Sequence, residues 1–455
     1  MKIDRSKRPT SSEEIKFNAP GIQNLNLKNG LKVFFSEKKD LPIVRINFLV
    51  NSGSRFDPYD KKGLCNLLVM CIDEGAGEFN ALQLADEFEL LGAQFSISCD
   101  ADVSIVSLQV LSENFVPAFK LISDVITQPH FKDDDFELQK NKVLVRLNQS
   151  KAEPDYIADV SFEYFLFGND SPYAFPVMGI ERTVQNVQPD FIRDLYKNNF
   201  APLNSAMVVV GNIDKDLLQK ELESVLGKWD NATRTDNAPV HVNRTQRKVF
   251  IINKPDAVQT EIRTGHLSSK RSEKDFFQKQ IVNLSLGGQF SSRLNLNLRE
   301  KHGYTYGVHS SFNYFKEAGY FAVSTSVDIS NTVNALKQIY LEIEKIQEGI
   351  TNEELSFIKS SLTKKYPSNF ETYRQIAANI STKVINDLPD DYFETYINKI
   401  SSLNLNDVNR IANDSIFPDE LISVLVGDSK IILSQLSEKE FGEITNLEFE
   451  DVFQK

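Results

Sequence analysis

The stretch VLSENFVPAFK at residues 110–120 recurs in altered form as VDISNTVNALK at residues 327–337. A second pair has almost the same separation, because VVVGN at residues 208–212 matches VLVGD at residues 424–428. Repetition at one separation predicts two homologous halves of about 215 residues, an ordinary domain size. The identical residues of the first pair and of the two positions that follow it are Val110/Val327, Asn114/Asn331, Val116/Val333, Ala118/Ala335, Lys120/Lys337 and Ile122/Ile339.

Each half is predicted to be α+β. Phe115, Phe119 and Ile122 recur at helical spacing and predict a helix after a β-hairpin. The second half repeats this order, with a strand that ends at Val327 and a helix over residues 332–347. The sequence therefore predicts two domains, each an antiparallel or mixed sheet flanked by helices. Runs of β-branched and aromatic residues predict strands in the first half at residues 31–35, 43–50, 95–99, 103–110 and 207–211.

The domain boundary is predicted in a polar segment between the two halves. Residues 230–239 are short of large apolar side chains and end on Pro239, as is typical of a linker. We therefore assign the first domain to residues 1–235 and the second to residues 236–455.

Composition limits the class of protein. A chain of 455 residues is too long for one hydrophobic core, and its hydrophobic fraction of 41% is ordinary for a globular protein. A net charge of −12 disfavours nucleic acid as a partner, because phosphate binding needs clustered Lys and Arg. No apolar run is long enough to span a membrane, and residues 1–9 do not read as a secretory signal. Three cysteines cannot all pair within the chain, so reduced thiols and a cytoplasmic location are expected, unless a leader directing the protein to the periplasm has been trimmed.

Two neighbouring motifs lie in the second half. Residues 286–294 read LGGQFSSRL, and residues 298–306 read LREKHGYTY, with Arg299 and Tyr306 seven positions apart. Together they resemble the substrate-side signature of the M16 (insulinase/pitrilysin) zinc peptidases, and the resemblance extends from about Ile22 to about Asp428. It implies a clamshell half in which this Arg and Tyr face a zinc site across a cleft. It also implies that residues of the first motif border the cleft and bind substrate, namely Gly287, Gly288, Phe290 and Ser292.

A guanidinium and a phenol suit one wall of a peptidase site. Arg299 and Tyr306 can each donate hydrogen bonds to negative charge that develops on a scissile carbonyl oxygen. Neither can generate the nucleophile without a metal or a base. The alternatives are a surface helix charge for Arg299, an aromatic packed against the sheet for Tyr306, and a simple helix end for Gly287 and Gly288. His302 has no acidic partner visible in the sequence and is expected to be an exposed polar residue.

The resemblance also implies an inverted zinc motif, His-x-x-Glu-His, on a helix after the lead-in SGSRFDP at residues 52–58. The motif positions fall on Asn66, Val69 and Met70, and Val145 and Arg146 occupy the region of a distant carboxylate ligand. These residues offer no good zinc ligand or base. Because residues 1–235 contain a single histidine, His130, a shift of the alignment does not restore the site. We therefore predict that this chain binds no metal.

A different metal site could use Cys65, Cys71, Asp73 and Glu74. The two cysteines lie six positions apart, about 600° around a helix, so they do not share a face. Buried thiols that act as small apolar residues are the commoner arrangement.

These features predict a non-catalytic subunit of a heterodimeric M16 peptidase. Its partner subunit is expected to carry the intact motif and the zinc, with Arg299 and Tyr306 acting in trans on unfolded peptides. Such a peptide could add as a strand to an exposed sheet edge. Two alternatives remain: an inert structural or interaction subunit, like the respiratory-complex core proteins of the family, or a lone peptide-binding protein.

Overall fold

Two six-stranded mixed sheets organise the chain in the computed structural model, which describes residues 17–230 and 246–454. The strands of the first half are β1 (Gln23–Asn26), β2 (Lys32–Glu37), β3 (Ile43–Val50), the short pair β4 (Gly75–Ala76) and β5 (Phe79–Asn80), β6 (Gln94–Cys99), β7 (Ser104–Leu111) and β8 (Ser205–Gly211). The strands of the second half are β9 (Lys248–Asn253), β10 (Gln259–Ser268), β11 (Val308–Tyr314), β12 (Gly319–Asp328), β13 (Ile422–Gly427) and β14 (Glu443–Leu447).

The two sheets share the order of five strands, and their outermost strands differ, because β1 pairs antiparallel with β2 whereas β14 pairs parallel with β9. The first is β1-β2-β8-β3-β7-β6, and the second, read from the equivalent edge, is β14-β9-β13-β10-β12-β11. In each sheet the second and third strands pair in parallel, β2 with β8 and β9 with β13. The two repeated stretches occupy equivalent places, because residues 110–120 join β7 to a helix and residues 327–337 join β12 to a helix. The predicted α+β fold class with two similar sheet-and-helix halves is confirmed.

Helices cover both sheets. Those of the first half are α1 (Leu64–Cys71), α2 (Ala81–Leu90), α3 (Phe115–Thr127), α4 (Asp133–Ser150), α5 (Pro154–Phe167), α6 (Glu181–Asn186), α7 (Pro189–Asn199) and α8 (Lys215–Val225). Those of the second half are α9 (Phe276–Leu286), α10 (Thr332–Lys345), α11 (Asn352–Lys365), α12 (Tyr373–Ile385), α13 (Tyr392–Ser402), α14 (Leu405–Ser415), α15 (Ser429–Leu433) and α16 (Glu438–Phe441). In α3, for example, Phe115, Phe119 and Ile122 are buried on one face at helical spacing.

The halves exchange helices across their interface. Helix α5 of the first half packs on β10 and β13 of the second sheet, and α12 of the second half packs on β3 and β8 of the first. Ile157 and Phe162 of α5 are buried in one hydrophobic cluster with Ile422 and Val424 of β13, so the contact between α5 and the second sheet is a hydrophobic core. Each sheet therefore depends on the other half for the cover of one face, and the halves form one interdependent structure.

The two β-hairpins meet at their turns. Asp102, in the turn between β6 and β7, lies 3.0 Å from the Arg55 guanidinium, and both side chains are buried. The Tyr173 hydroxyl donates to Asp102 at 2.8 Å, and the Lys316 N–H, in the turn between β11 and β12, donates to its other oxygen at 2.8 Å. The ring of Tyr173 stacks on Phe315 with centroids 4.3 Å apart. One buried carboxylate thus joins the two halves.

Most predicted elements of the first half match the structure. The strand at residues 43–50 has the predicted bounds, and the hairpin of β6 and β7 forms around residues 100–103. The helix predicted over residues 332–347 is α10, which ends at Lys345 and continues as a single 3-10 turn to Glu348.

The domain boundary at 235/236 lies within residues 231–245, outside the described residues, and stays a prediction. Among the described helices, none has the length and apolar character needed to cross a bilayer.

Replacing Asp102 by Asn is expected to destabilise the chain by about 3 kcal/mol, because a buried guanidinium then loses its carboxylate. The measurement is the free energy of unfolding in urea. The control is Asp60→Asn, since Asp60 is exposed beside Lys61 and its change should leave the urea midpoint nearly unchanged. An Asp102→Asn chain as stable as the wild type would contradict the assigned role.

Glu163 of α5 makes the stability of this interface depend on pH. Burial raises the pKa of Glu163 to about 7, and the negative charge of nearby Asp159 adds to this rise. The hydrogen bond that the Tyr320 hydroxyl donates at 3.0 Å lowers the pKa and offsets only part of the rise. The folded state therefore holds a proton that the unfolded state releases above its ordinary pKa of 4.5. Stability from this group is complete below pH 4.5 and is lost as the pH rises towards 7.

Glu163→Gln should therefore flatten the fall of unfolding free energy between about pH 4.5 and 7, where one such group contributes a slope of up to about 1.4 kcal/mol per pH unit. The measurement is urea unfolding across this range, with Glu89→Gln as the exposed control. Parallel stability curves for wild type and Glu163→Gln would rule out titration of Glu163.

Candidate functional site

Arg299 lies on an unusual turn of helix. Residues Asn295–Lys301 form a π-helix, in which the His302 N–H donates to the Asn297 carbonyl five positions back, at 3.1 Å. The wider turn continues to Tyr304, whose N–H reaches the Leu298 carbonyl at 2.9 Å. Such π-turns are rare and are often found at functional sites.

Buried amides hold this turn to its surroundings. The Asn295 side chain donates to the Val308 carbonyl at 2.8 Å and accepts from the Val308 N–H at 3.2 Å, which fixes the turn to the start of β11. The Asn297 amide donates to Glu342 of α10 at 2.7 Å. The backbone that carries Arg299 is therefore anchored on two sides.

The Arg299 side chain stacks on an aromatic ring. Its guanidinium carbon lies 4.2 Å from the centroid of the Phe290 ring, and Phe290 is 67% exposed. The Arg299 Nε lies 3.7 Å from the Glu300 carboxylate, beyond hydrogen-bond distance. Within residues 17–230 and 246–454, no hydrogen bond uses an Arg299 side-chain donor. The guanidinium is thus positioned while its N–H groups stay available.

Tyr306 stands on an anchored loop with its side chain in solvent. The side chain is 95% exposed. On either side of it, the Thr325 hydroxyl of β12 donates to Thr305 Oγ1 at 2.9 Å, and the Thr305 hydroxyl in turn donates to the Gly307 carbonyl at 2.8 Å. In the part of the chain that the structure describes, no hydrogen bond or cation–π contact joins Tyr306 to Arg299. The packed aromatic considered for Tyr306 is therefore wrong.

The glycine pair permits a close approach between elements. Helix α9 ends at Leu286, and the Gly287 and Gly288 N–H groups both donate to the Asn283 carbonyl. Neither glycine has a positive φ. A Cβ on Gly287 would lie 2.5 Å from the Ser310 hydroxyl of β11, so this residue has to be small. The helix-end interpretation therefore holds, with close packing as its second reason.

Ser292 and Arg293 anchor the motif through hydrogen bonds to neighbouring residues. Ser292 is buried, and its hydroxyl receives the Asn295 amide at 3.2 Å. The Arg293 guanidinium donates to both oxygens of Glu354, each at 2.8 Å. Burial alone would raise the pKa of Glu354, but the hydrogen bonds from Arg293, Thr351 and Ser285 lower it to about 2. Among the residues predicted to bind substrate, Phe290 is exposed and Ser292 is not.

His302 differs from expectation. The sequence predicts an exposed residue, whereas the ring is half-buried and stacks on Tyr304 with centroids 5.0 Å apart. The reason is that the π-turn directs the chain back over its own end. No local sequence signal announces this packing.

The degenerate zinc positions are packed as ordinary helix residues. Asn66, Val69 and Met70 lie on α1, where Val69 is buried and the Asn66 amide contacts the Met70 sulfur at 3.6 Å. On α4, Val145 is exposed and the Arg146 guanidinium lies 3.5 Å from Glu153. An amide, a valine, a thioether and a cation do not fit zinc.

The lead-in to this helix serves the fold. Asp57 caps α1, because its carboxylate accepts from the Gly63 and Cys65 N–H groups, each at 2.9 Å. Burial raises the pKa of Asp57 to about 7. A Cβ on Gly53 would lie 2.4 Å from the Ala101 backbone of the hairpin turn. In the sequence these residues stand out only as the lead-in to the motif, and their structural role is visible only in the fold.

Two of the three cysteines are buried thiols, and Cys99 is partly buried. Cys65 and Cys71 are buried on α1, and the Cys65 sulfur lies 3.3 Å from the Ser52 carbonyl. Burial, reinforced by Glu74 and Asp73, raises the pKa of Cys71 to about 12. Across the described ranges, no group of three or more His, Cys, Asp or Glu side chains is arranged to hold a metal ion.

Comparison with known proteins identifies the family of this chain. The family described as "Insulinase (Peptidase family M16)" matches residues 32–164, and "Peptidase M16 inactive domain" matches residues 186–362. Together these matches span more than half of the sequence, and the chain belongs to the peptidase M16 family.

Relatives carry contrasting names. An uncharacterised zinc protease of Rickettsia felis is 25% identical over 339 residues, which is 74% of this chain and 81% of the relative. A non-peptidase homologue from Helicobacter pylori is 24% identical over 404 residues, which is 88% of this chain and 92% of the relative. Family membership therefore does not decide between peptidase and non-peptidase.

Solved structures share the fold. The peptidase M16 inactive domain from Pseudomonas fluorescens superposes with a TM-score of 0.84 at 24% identity and covers 90% of this chain and 98% of its own. The periplasmic protease PqqL from Escherichia coli has a TM-score of 0.76 at 16% identity and covers 94% of this chain. This chain spans about half of PqqL, since the match takes in 47% of that protein.

The degenerate positions predict a chain without tightly bound zinc. After exchange against buffer with equimolar zinc, metal analysis should find well below one zinc per chain. Arg299→Ala serves as the control, because this change lies outside the degenerate positions and should give the same value. One zinc per chain that is lost on Asn66→Ala would contradict the prediction.

Proposed function

We propose that this chain is the non-catalytic subunit of a heterodimeric M16 zinc metallopeptidase. It binds peptide substrate and supplies Arg299 and Tyr306 to the zinc site of a partner subunit with an intact motif. One observation carries the proposal: an anchored Arg and Tyr with free donor groups occur in a chain whose zinc positions hold Asn66, Val69 and Met70.

The chemistry follows from the donor groups. The Arg299 guanidinium offers in-plane N–H groups, and Tyr306 offers a neutral O–H. Donors of this kind stabilise negative charge on the oxygen of a peptide carbonyl under attack. The chain itself has no base or metal at its degenerate positions to generate the nucleophile. It therefore polarises a peptide bond and leaves cleavage to the partner.

An open sheet edge can bind the peptide backbone. Among the described strands, β6 pairs only with β7, so its other edge is unpaired. Alternate residues of this strand are exposed, namely Gln94, Ser96 and Ser98. An extended peptide can add to such an edge through main-chain hydrogen bonds, which read little of its sequence. This supports unfolded peptides of broad sequence as substrates.

The cofactor and compartment follow from this assignment. No cofactor is bound by this chain, and the zinc belongs to the partner. The cytoplasmic location rests on the reduced cysteines. The alternative for this chain is a periplasmic location, since the structurally similar PqqL is a periplasmic protease.

An inert interaction subunit is the second candidate function. The name of the Helicobacter pylori relative, a non-peptidase homologue, favours it. Under this function Arg299 and Tyr306 have no catalytic part, and their replacement leaves every complex of the chain equally active.

The discriminating experiment combines this chain with a zinc-bearing M16 protein, ideally one encoded beside it. The complex should cleave an unfolded peptide, and Arg299→Ala with Tyr306→Phe should lower kcat at least about 100-fold, because oxyanion-type donors are lost. The matched control is Arg410→Ala with Tyr59→Phe, which replaces exposed residues of the same types and should leave turnover unchanged.

Two results would overturn the proposal. One is unchanged turnover of the complex after the double replacement. The other is peptide cleavage by the isolated chain with stoichiometric zinc. The size of the assembly, measured by light scattering, separates a heterodimer from the lone peptide-binding protein.

A further inference from the structure

We infer that Phe290 is a positioning residue that holds the Arg299 guanidinium ready for a carbonyl oxygen. This inference rests on the proposed function and deepens it, because the family resemblance implies only substrate binding for Phe290. The central observation is the cation–π contact of 4.2 Å between the Arg299 guanidinium carbon and the Phe290 ring.

The contact fixes Arg299 without using its donors. A ring attracts the cation through its π face, so the in-plane N–H groups of the guanidinium stay free. By contrast, Arg293 gives its donors to Glu354, and Arg263 gives its donors to Asp159 and Glu261. Those two arginines are structural crosslinks. Arg299 is positioned by the ring, and its nearest carboxylate, Glu300, lies 3.7 Å away, beyond hydrogen-bond distance.

The backbone geometry supports the same role. Phe290 follows the closely packed Gly287 and Gly288, and Arg299 sits on the π-turn that Asn295 ties to β11. Both partners of the contact are thus carried by anchored backbone. Phe290 itself is 67% exposed, so burial of its side chain does not explain its place.

The first test uses the isolated chain and needs no partner. Arginine-selective 15N labelling reports the Arg299 Nε–Hε signal, which Arg299→Lys assigns by its disappearance. Phe290→Leu removes the ring current and should shift this signal, whereas Phe290→Tyr should keep it. Leu296→Ala, at an exposed position of the same π-helix, is the control and should leave the signal in place. A signal that is unmoved in Phe290→Leu overturns the inference.

The second test uses the complex with the zinc-bearing partner. Phe290→Leu should lower kcat about three- to tenfold with KM nearly unchanged, and Phe290→Tyr should restore it. Equal melting temperatures for these variants show that folding is intact. Unchanged kcat in Phe290→Leu, in a complex that Arg299→Ala slows, overturns the inference alone. Unchanged kcat in both variants overturns the proposed function.

Discussion

The buried ion pair between Arg55 and Asp102 is the contact on which the arrangement of the two halves depends. Asp102 also accepts hydrogen bonds from the Tyr173 hydroxyl and from the Lys316 backbone of the opposite hairpin. A buried charge is tolerated only when it is paired and hydrogen-bonded, so the two hairpin turns can meet in few geometries. With that junction fixed, α5 and α12 can each cover the sheet of the other half.

The same junction explains how the first half keeps its family likeness without zinc ligands. Gly53, Arg55 and Asp57 belong to the lead-in of the motif, yet their contacts serve the hairpin turn and the cap of α1. The side chains at Asn66, Val69 and Met70 can change without loss of these contacts. The likeness of the lead-in to the family therefore indicates a shared fold, and it does not indicate that this chain binds a metal ion.

Local patterns allowed much of the fold to be predicted. The strand at 43–50 and the helix α10 follow from alternation and helical spacing, and the repeat predicted two similar halves. The exchange of α5 and α12 could not be predicted, because an apolar helix face does not specify which sheet it covers. The stack of Phe290 on Arg299 could not be predicted either, because it depends on the π-helix at Asn295–Lys301, which no local sequence pattern indicates.

The composition of the Arg299 surface is better explained by a partner than by stability. Phe290 and Tyr306 are aromatic side chains left largely in water, and burial of such rings is what normally stabilises a fold. Phe290 stacks on the Arg299 guanidinium, and Tyr306 lies on a neighbouring anchored loop. Aromatic residues and Arg are the types enriched where protein surfaces meet, and fixed donors lose little entropy on binding. An anchored cation stacked on an exposed ring, on an otherwise acidic chain, therefore supports the proposal that a second protein completes this site.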